Sequence, residues 1–128
     1  MNGSRISPRR CGEKVRNVFK EVKSMLPVSG NKYDAEIILH INGAVLDLTR
    51  TAHIVLPGAV DITRNDTTGE ITDNSTISDQ YVLEAIAVYC NMHIFNPPNM
   101  ESLERAYKNK KGSMQLSKYY NGTAVTTE

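Results

Sequence analysis

Histidine and cysteine side chains are the residues of this chain with the clearest potential for metal binding or nucleophilic catalysis. The histidines are His40, His53 and His93, and Cys90 precedes His93 by one helical turn. A structural zinc site needs four ligands at closed spacing, and these candidates are scattered. Cys90 lies in an apolar segment that offers no group to activate its thiol. The sequence therefore predicts core or interface roles for these side chains, with no metal and no cofactor.

Carboxylate pairs and glycines also lack a catalytic pattern. Asp34 with Glu36, and Glu101 with Glu104, fall at predicted helix starts, where acidic side chains complement the helix dipole. The eight glycines form neither GxxxxGK[ST] nor GxGxxG, the patterns that bind phosphate groups. We therefore expect no enzymatic activity.

The elements that hold these residues are predicted from apolar side chains that recur at helical spacing in four segments. The third segment is apolar on two adjacent stripes, so it must be covered on two sides and is expected at the centre of the fold. Gly43 in the second segment costs about 1 kcal/mol relative to alanine, which indicates a close approach of another helix. The four segments begin at Gly12, at Asn31 or Asp34 as the cap, at Tyr81 and near Met100, and the third ends at Pro97-Pro98.

The stretch between the second and third predicted helices has a different character. Two β-prone segments, residues 59–63 and 70–72, flank the turn-forming residues 65–69. Residues 53–79 hold five acidic side chains and one Lys or Arg. Because long loops in small domains tend to be functional or disordered, we expect residues 57–79 to gain protection from amide exchange only on assembly.

We predict an all-α fold, a small four-helix bundle with a long loop or β-hairpin at 54–79 and an extended C-terminal arm. At 128 residues the chain has the length of one domain. Residues 1–10 are predicted to be a flexible basic arm, residues 11–120 the helical domain, and residues 121–128 a threonine-rich tail.

The small net charge of +1 conceals a strong asymmetry. Residues 1–26 hold seven Lys or Arg and two Asp or Glu, whereas residues 27–80 hold three and eight. The basic region is compatible with nucleic acid, with an acidic protein surface or simply with a solvated terminus. One hypothesis is therefore a small DNA-binding or DNA-packaging-associated protein. The longest charge-poor run is too short and too polar to span a bilayer, so we expect no membrane association.

Two segments together carry a family resemblance. Residues 34–48, DAEIILHINGAVLDL, and residues 85–98, AIAVYCNMHIFNPP, lie on either side of the variable loop. In pattern and order, roughly half of the chain resembles the head–tail connector (adaptor) proteins of tailed bacteriophages. Those proteins typically have a similar acidic-start helix, an apolar helix that ends in F-D/N-P-P, and a glutamate-rich helix after it.

The chain departs from that pattern in three places. Its first helix has a longer basic extension, and its loop is longer than in many relatives. The usual Trp-Arg-Leu ending of the last helix is replaced by Lys110-Lys111-Gly112 and Tyr119-Tyr120. These departures affect the details of the C-terminal contact.

The resemblance implies a structural adaptor in the neck of the virion, made in the host cytoplasm. Such adaptors form a ring, commonly of twelve copies, that docks under the portal, joins head to tail and leaves a channel for DNA. The implied partners are the portal protein, copies of the chain itself and a downstream neck or tail-completion protein. Double-stranded DNA would pass through the channel without sequence-specific binding.

Within that framework we assign three groups of candidate contact residues. The tyrosine pair offers large apolar area with polar tips, which suits an interface anchor. The candidate portal-docking residues are Leu116, Tyr119, Tyr120, Thr123 and Val125. The candidate lumen or tail-side residues are Asp61, Arg64, Asp66, Glu70 and Asp73. The candidate inter-subunit residues are Lys14, Arg16, Lys20 and Lys23.

Overall fold

The computed structural model describes residues 17–117, and over this part the chain is mostly helical with one two-stranded sheet. The predicted helical class is therefore confirmed. The helices are α1 Val18–Ser24, α2 Asp34–Leu46, α3 Gln80–Cys90 and α4 Met100–Leu116. The strands are β1 Ile62–Arg64 and β2 Ile71–Asp73. Five-residue π-helical segments, Asp47–Thr51 and Asn91–Phe95, continue α2 and α3 respectively.

Helix α1 begins at Val18, so the predicted start at Gly12 was wrong. Asn17 has an extended backbone, and its side-chain oxygen accepts a hydrogen bond from the Lys20 amide at 3.0 Å. Asp73 from the distant strand β2 accepts a second one from the Phe19 amide at 2.8 Å. Because the first amides of a helix have no partner inside it, these two side chains fix where α1 begins.

Helix α2 begins at Asp34, and neither Asn31 nor Asp34 is its cap. Tyr33 occupies the cap position without a side-chain hydrogen bond. The Asp34 carboxylate turns to α1 instead, where its Oδ1 lies 2.7 Å from Lys23 Nζ. The predicted capping role was therefore wrong, because this carboxylate binds a cation from another helix.

Helix α3 packs against α1, α2 and α4, as expected for the predicted central helix. Asp79 begins it by accepting hydrogen bonds from the amides of Tyr81 and Val82. Asn96, in the left-handed region with φ of 45°, ends the π-helical continuation just before Pro97-Pro98. Residues of both predicted stripes are buried in α3: Val82, Leu83, Ile86, Ala87 and Cys90.

Gly43 marks a close approach of α3 to α2, as its position in an otherwise apolar helix predicted. A Cβ atom added at Gly43 would lie 3.2 Å from the hydroxyl oxygen of Tyr89 on α3. The missing side chain thus lets the Tyr89 ring pack against the α2 backbone.

The segment between α2 and α3 contains an antiparallel hairpin. Ile62 pairs with Asp73 and Arg64 with Ile71. The base of the hairpin belongs to the core, because Ser75 and Ile77 are almost completely buried. Ser75 Oγ accepts a hydrogen bond from the Asp61 amide at 2.9 Å, which ties the two sides of this base together.

Candidate functional site

The candidate lumen or tail-side residues divide into four exposed residues and one half-buried residue of the hairpin. Asp61, Arg64, Asp66 and Glu70 are exposed, and Arg64 Nη1 lies 3.1 Å from Asp66 Oδ1. Asp73 is half-buried at the base, where its carboxylate accepts hydrogen bonds from the amides of Phe19 and Ser75. Four of the five residues therefore present charge to solvent, whereas Asp73 anchors the hairpin to α1.

The two candidate inter-subunit residues that the structure describes, Lys20 and Lys23, also differ in exposure. Lys20 is exposed on α1. Lys23 is partly buried, because it pairs with Asp34 and lies 5.5 Å from the centre of the Phe19 ring. Lys14 and Arg16 lie outside the described residues.

Of the five candidate portal-docking residues, only Leu116 lies within residues 17–117. Leu116 is 88% exposed at the end of α4. The neighbouring Gln115 donates a hydrogen bond to the Ala52 carbonyl at 3.1 Å, which fixes this end of α4 beside the end of the α2 extension. Tyr119, Tyr120, Thr123 and Val125 lie outside the described residues.

A row of rings joins α2, α3 and α4. The His40 and His93 rings are stacked with centroids 5.8 Å apart. The Tyr89 ring lies 4.2 Å from His93 and 5.6 Å from Tyr107. Burial and the neighbouring His93 lower the pKa of His40. Within residues 17–117, no three His, Cys, Asp or Glu side chains are grouped so that they could hold a metal ion.

The row ends in a polar cluster that the sequence did not predict. Tyr107 Oη donates a hydrogen bond to Asp47 Oδ2 at 2.5 Å, and Lys111 Nζ lies 3.1 Å from the same oxygen. Burial raises the pKa of Asp47, but the two hydrogen bonds and the Lys111 charge outweigh it, so the pKa falls. Since 60 residues separate Tyr107 from Asp47, no local pattern could have identified the pair.

Cys90 has no features of a reactive thiol. It is completely buried in α3, and burial raises the pKa of its thiol to about 12. Since the thiolate is the nucleophilic form, a thiol with so high a pKa is inert at neutral pH.

Helix α2 exposes a stripe of three apolar residues and one asparagine on the side opposite its buried face. Its residues recur at alternating spacings of four and three, the spacing of a helix-packing seam. Leu39 is 64% exposed and Leu46 is 50% exposed, although both are large and apolar. We call this surface the outer stripe of α2, and its residues are Ala35, Leu39, Asn42 and Leu46.

A groove of about 370 Å³ opens between α3, α4 and Met25, the residue that follows α1. An ion pair crosses its edge, with Lys110 Nζ 3.1 Å from Glu84 Oε1. Asn91 also lines it, and its side-chain oxygen is buried away from solvent without a hydrogen-bond partner within the described structure. We call this surface the α1–α3–α4 groove, and its lining residues are Met25, Glu84, Ala87, Val88, Asn91, Leu103 and Lys110.

Comparison with known proteins identifies the family of this chain. Among the helices that the structure describes, none is both long enough and apolar enough to cross a membrane. No curated protein and no solved structure matches the chain. A family model described as phage connector protein matches residues 18–121. Because this match covers α1 to α4 with the hairpin between them, the chain belongs to the phage connector protein family and is a connector component of the virion.

Proposed function

We propose that this connector is a structural adaptor of a tailed-phage neck. In this proposal it forms a ring of twelve copies that docks under the portal, joins the head to the tail and leaves a channel for DNA. The observation that carries the proposal is the outer stripe of α2, which leaves Leu39 and Leu46 exposed on a small chain of the connector family. Exposed apolar surface of this kind marks a contact with another protein.

A ring needs two different contact surfaces on each subunit. Contacts in cyclic oligomers of more than two copies are heterologous, so one face of a subunit binds another face of its neighbour. The outer stripe of α2 and the α1–α3–α4 groove are two such surfaces. Their presence supports assembly into a ring.

The exposed charges of the hairpin support a position at the channel or at the tail side of the neck. Asp61, Asp66 and Glu70 outnumber Arg64, which is already paired with Asp66. Negative charge on a channel wall weakens the adhesion of DNA that must pass through. Exposed Leu116 at the end of α4 supports docking of the C-terminal segment to the portal.

The proposed role includes no catalytic step. The buried thiol of Cys90 is not nucleophilic at neutral pH, and Asp47 is held by Tyr107 and Lys111. DNA binding through residues 1–26 is the alternative. Within its described part, Lys23 is paired with Asp34 and only Lys20 is exposed as a free cation, so the structure adds little in its favour.

Native mass spectrometry and electron microscopy of the full chain, alone and mixed with the portal protein, test the proposal. We expect a closed cyclic oligomer seated on the portal. One or two copies per portal would contradict the ring. Removal of residues 117–128 should leave the helical circular-dichroism signal nearly unchanged and abolish attachment to portal-containing heads. Attachment by the truncated protein would show that the docking surface lies elsewhere.

A further inference from the structure

The π-helical continuation of α3, Asn91–Phe95, is held less firmly than the helix that it extends. None of its five residues is fully buried, whereas α3 itself buries six of its eleven residues. Asn91 has a buried side-chain oxygen with no hydrogen-bond partner in the described structure, which is unfavourable until a donor or water reaches it. Asn96 and Pro97 end the helix directly afterwards. We call this segment the α3 extension, and a shift of it leaves the buried part of α3 in place.

A pair of imidazole rings joins the α3 extension to α2. The rings of His40 on α2 and His93 on the extension are nearly parallel, at 16°, and their centroids lie 5.8 Å apart. His40 is half-buried and His93 is exposed. Neutral rings attract each other at this distance, but two protonated rings carry like charges across the contact. The contact between the two elements is therefore favourable only while at least one ring is neutral.

The carboxylates around the pair compensate a charge on one ring but not on both. Asp47 lies so close to His93 that a charge on His93 lowers the pKa of this carboxyl. His40 has Glu36 one turn before it on α2, and this carboxylate favours a charge on His40. Burial and the charge of His93 outweigh Glu36, so the pKa of His40 is lowered. The second charge of the pair is thus the unfavourable one.

The remaining ionisable groups around the pair come from α3 and α4. On α3, burial raises the pKa of Tyr89 and that of Cys90, so both side chains are neutral at neutral and acid pH. Tyr107 and Lys111 of α4 bind Asp47, and this contact persists until Asp47 is protonated, at a pH below 3.8. Mild acid therefore acts on the histidine pair and leaves α4 attached to α2. The ionisable side chains of α4 that line a pocket of about 650 Å³ beside His93 are Glu104, Tyr107, Lys108 and Lys111.

We propose that His40 and His93 form a pH-sensitive latch, which holds the α3 extension on α2 at neutral pH and releases it when both rings are protonated. Because the pKa of His40 is lowered in the folded chain, its contribution to stability is complete above the ordinary value of 6.5 and is lost as the pH falls below it. Release opens the pocket that His93 lines and gives Asn91 access to water. The latch lies within one subunit and does not depend on the proposed ring.

Amide exchange of the free, full-length chain at about pH 7.5 and about pH 5.5, on either side of the histidine range, tests the latch. Each measured rate is divided by the intrinsic rate at the same pH. In the wild type we expect the protection of the amides of residues 92–96 to fall several-fold at the lower pH, while that of the α4 amides around Tyr107 changes little. In His40→Gln and in His93→Gln one of the two charges cannot form, so the protection of residues 92–96 should be the same at both pH values.

The third histidine provides the matched control. His53 is exposed and has φ of 58°, a left-handed conformation that asparagine tolerates, so His53→Asn should keep the wild-type loss. Equal protection of the wild-type segment at both pH values would overturn the latch. The full wild-type loss in His40→Gln and His93→Gln would overturn it too. A loss spread equally over α3 and α4 would mean that the subunit unfolds as a whole, which also contradicts the latch.

Proton NMR titration of the histidine rings gives an independent measurement. Since the charge of His93 contributes to the lowered pKa of His40, His93→Gln should raise the pKa of His40, and His53→Asn should leave it unchanged. An unchanged pKa of His40 in His93→Gln would show that the two rings do not repel each other and would overturn the latch.

Discussion

Lys23 on α1 and Asp34 at the start of α2 form an ion pair within one subunit, with 2.7 Å between Lys23 Nζ and Asp34 Oδ1. Only 7% of Asp34 is exposed, so water screens this pair poorly. Asp73 on β2, which belongs to the same acidic segment as Asp34, accepts a hydrogen bond from the Phe19 amide on α1. The basic N-terminal region and the acidic segment after it therefore interact inside the chain. Lys23 pairs with Asp34 within one chain, and its contact between subunits stays a prediction.

Asp34→Asn should lower the free energy of unfolding by about 1.5–3 kcal/mol, the range for a hydrogen bond to a charged group. The variant leaves Lys23 partly buried without its counter-ion. Urea denaturation at neutral pH measures the change. Glu36→Gln is the matched control, because this carboxylate lies in the same helical turn but is exposed, so its loss should change stability little. Equal losses for the two variants would assign the effect to helix-dipole charge instead of the ion pair.

The contact between Gly43 and Tyr89 predicts an energetic coupling. Gly43→Ala gains about 1 kcal/mol of helix propensity, but its Cβ would lie 3.2 Å from the Tyr89 hydroxyl oxygen and force that ring to move. In a Tyr89→Phe background the nearest atom is removed, so Gly43→Ala should be more stabilising there. Urea denaturation of the four proteins of this double-mutant cycle gives the coupling.

Gly112→Ala is the control for that cycle. Nothing lies within 4 Å of the Cβ position at Gly112, and this residue is inside α4. We expect Gly112→Ala to stabilise the protein by about 1 kcal/mol in both backgrounds. A coupling of zero between Gly43 and Tyr89 would show that the ring moves aside without cost.

The hydrogen bond from Tyr107 to Asp47 predicts a pH dependence. A carboxyl whose pKa is lowered in the folded state stabilises the protein above its unfolded pKa and loses that contribution as pH falls. The pKa of Asp47 is lowered from the ordinary value of 3.8, so its contribution is complete at neutral pH and is lost below that value. Tyr107→Phe should cost about 1–3 kcal/mol at pH 6.

The difference between wild-type protein and Tyr107→Phe should shrink as the pH falls below about 4. Thermal or urea denaturation at a series of pH values measures it. Tyr81→Phe makes the same chemical change on a ring that contacts Lys110, 4.3 Å from its Nζ, and should show no such narrowing. A constant difference at all pH values for Tyr107→Phe would mean that the hydroxyl does not stabilise the ionised form of Asp47.

Amide exchange should distinguish the base of the hairpin from its tip. The amides of Asn74 and Thr76 donate to backbone carbonyls across the base, at 2.8 Å each, beside buried Ile77. We expect these amides to be protected in the free protein. The Thr67 and Thr68 amides at the exposed tip donate only to the Asn65 side chain and should exchange fast. From the sequence we expected the whole of residues 57–79 to gain protection only on assembly. Fast exchange of the Asn74 and Thr76 amides in the free protein would support that expectation and contradict the present one.

The sequence alone determined the features that depend on near neighbours along the chain. The break at Pro97-Pro98 and the apolar periodicity of α3 were predicted because proline and helical spacing act within a few residues. Gly43 signalled a close helix approach because a helix accepts glycine only at a cost, about 1 kcal/mol. The same local signals, with the acidic start of α2, carried the family resemblance.

Only the tertiary structure decided which distant side chains meet. Asp73 binds the start of α1 across 54 residues, and Asp47 binds Tyr107 across 60. Periodicity shows that a helix has an apolar face, but not which helix covers it or which polar groups meet at its edge. That is why the sequence left Lys23 on a free surface and identified neither the groove at Asn91 nor the exposed stripe of α2. Both depend on how α1, α2 and α4 pack around α3.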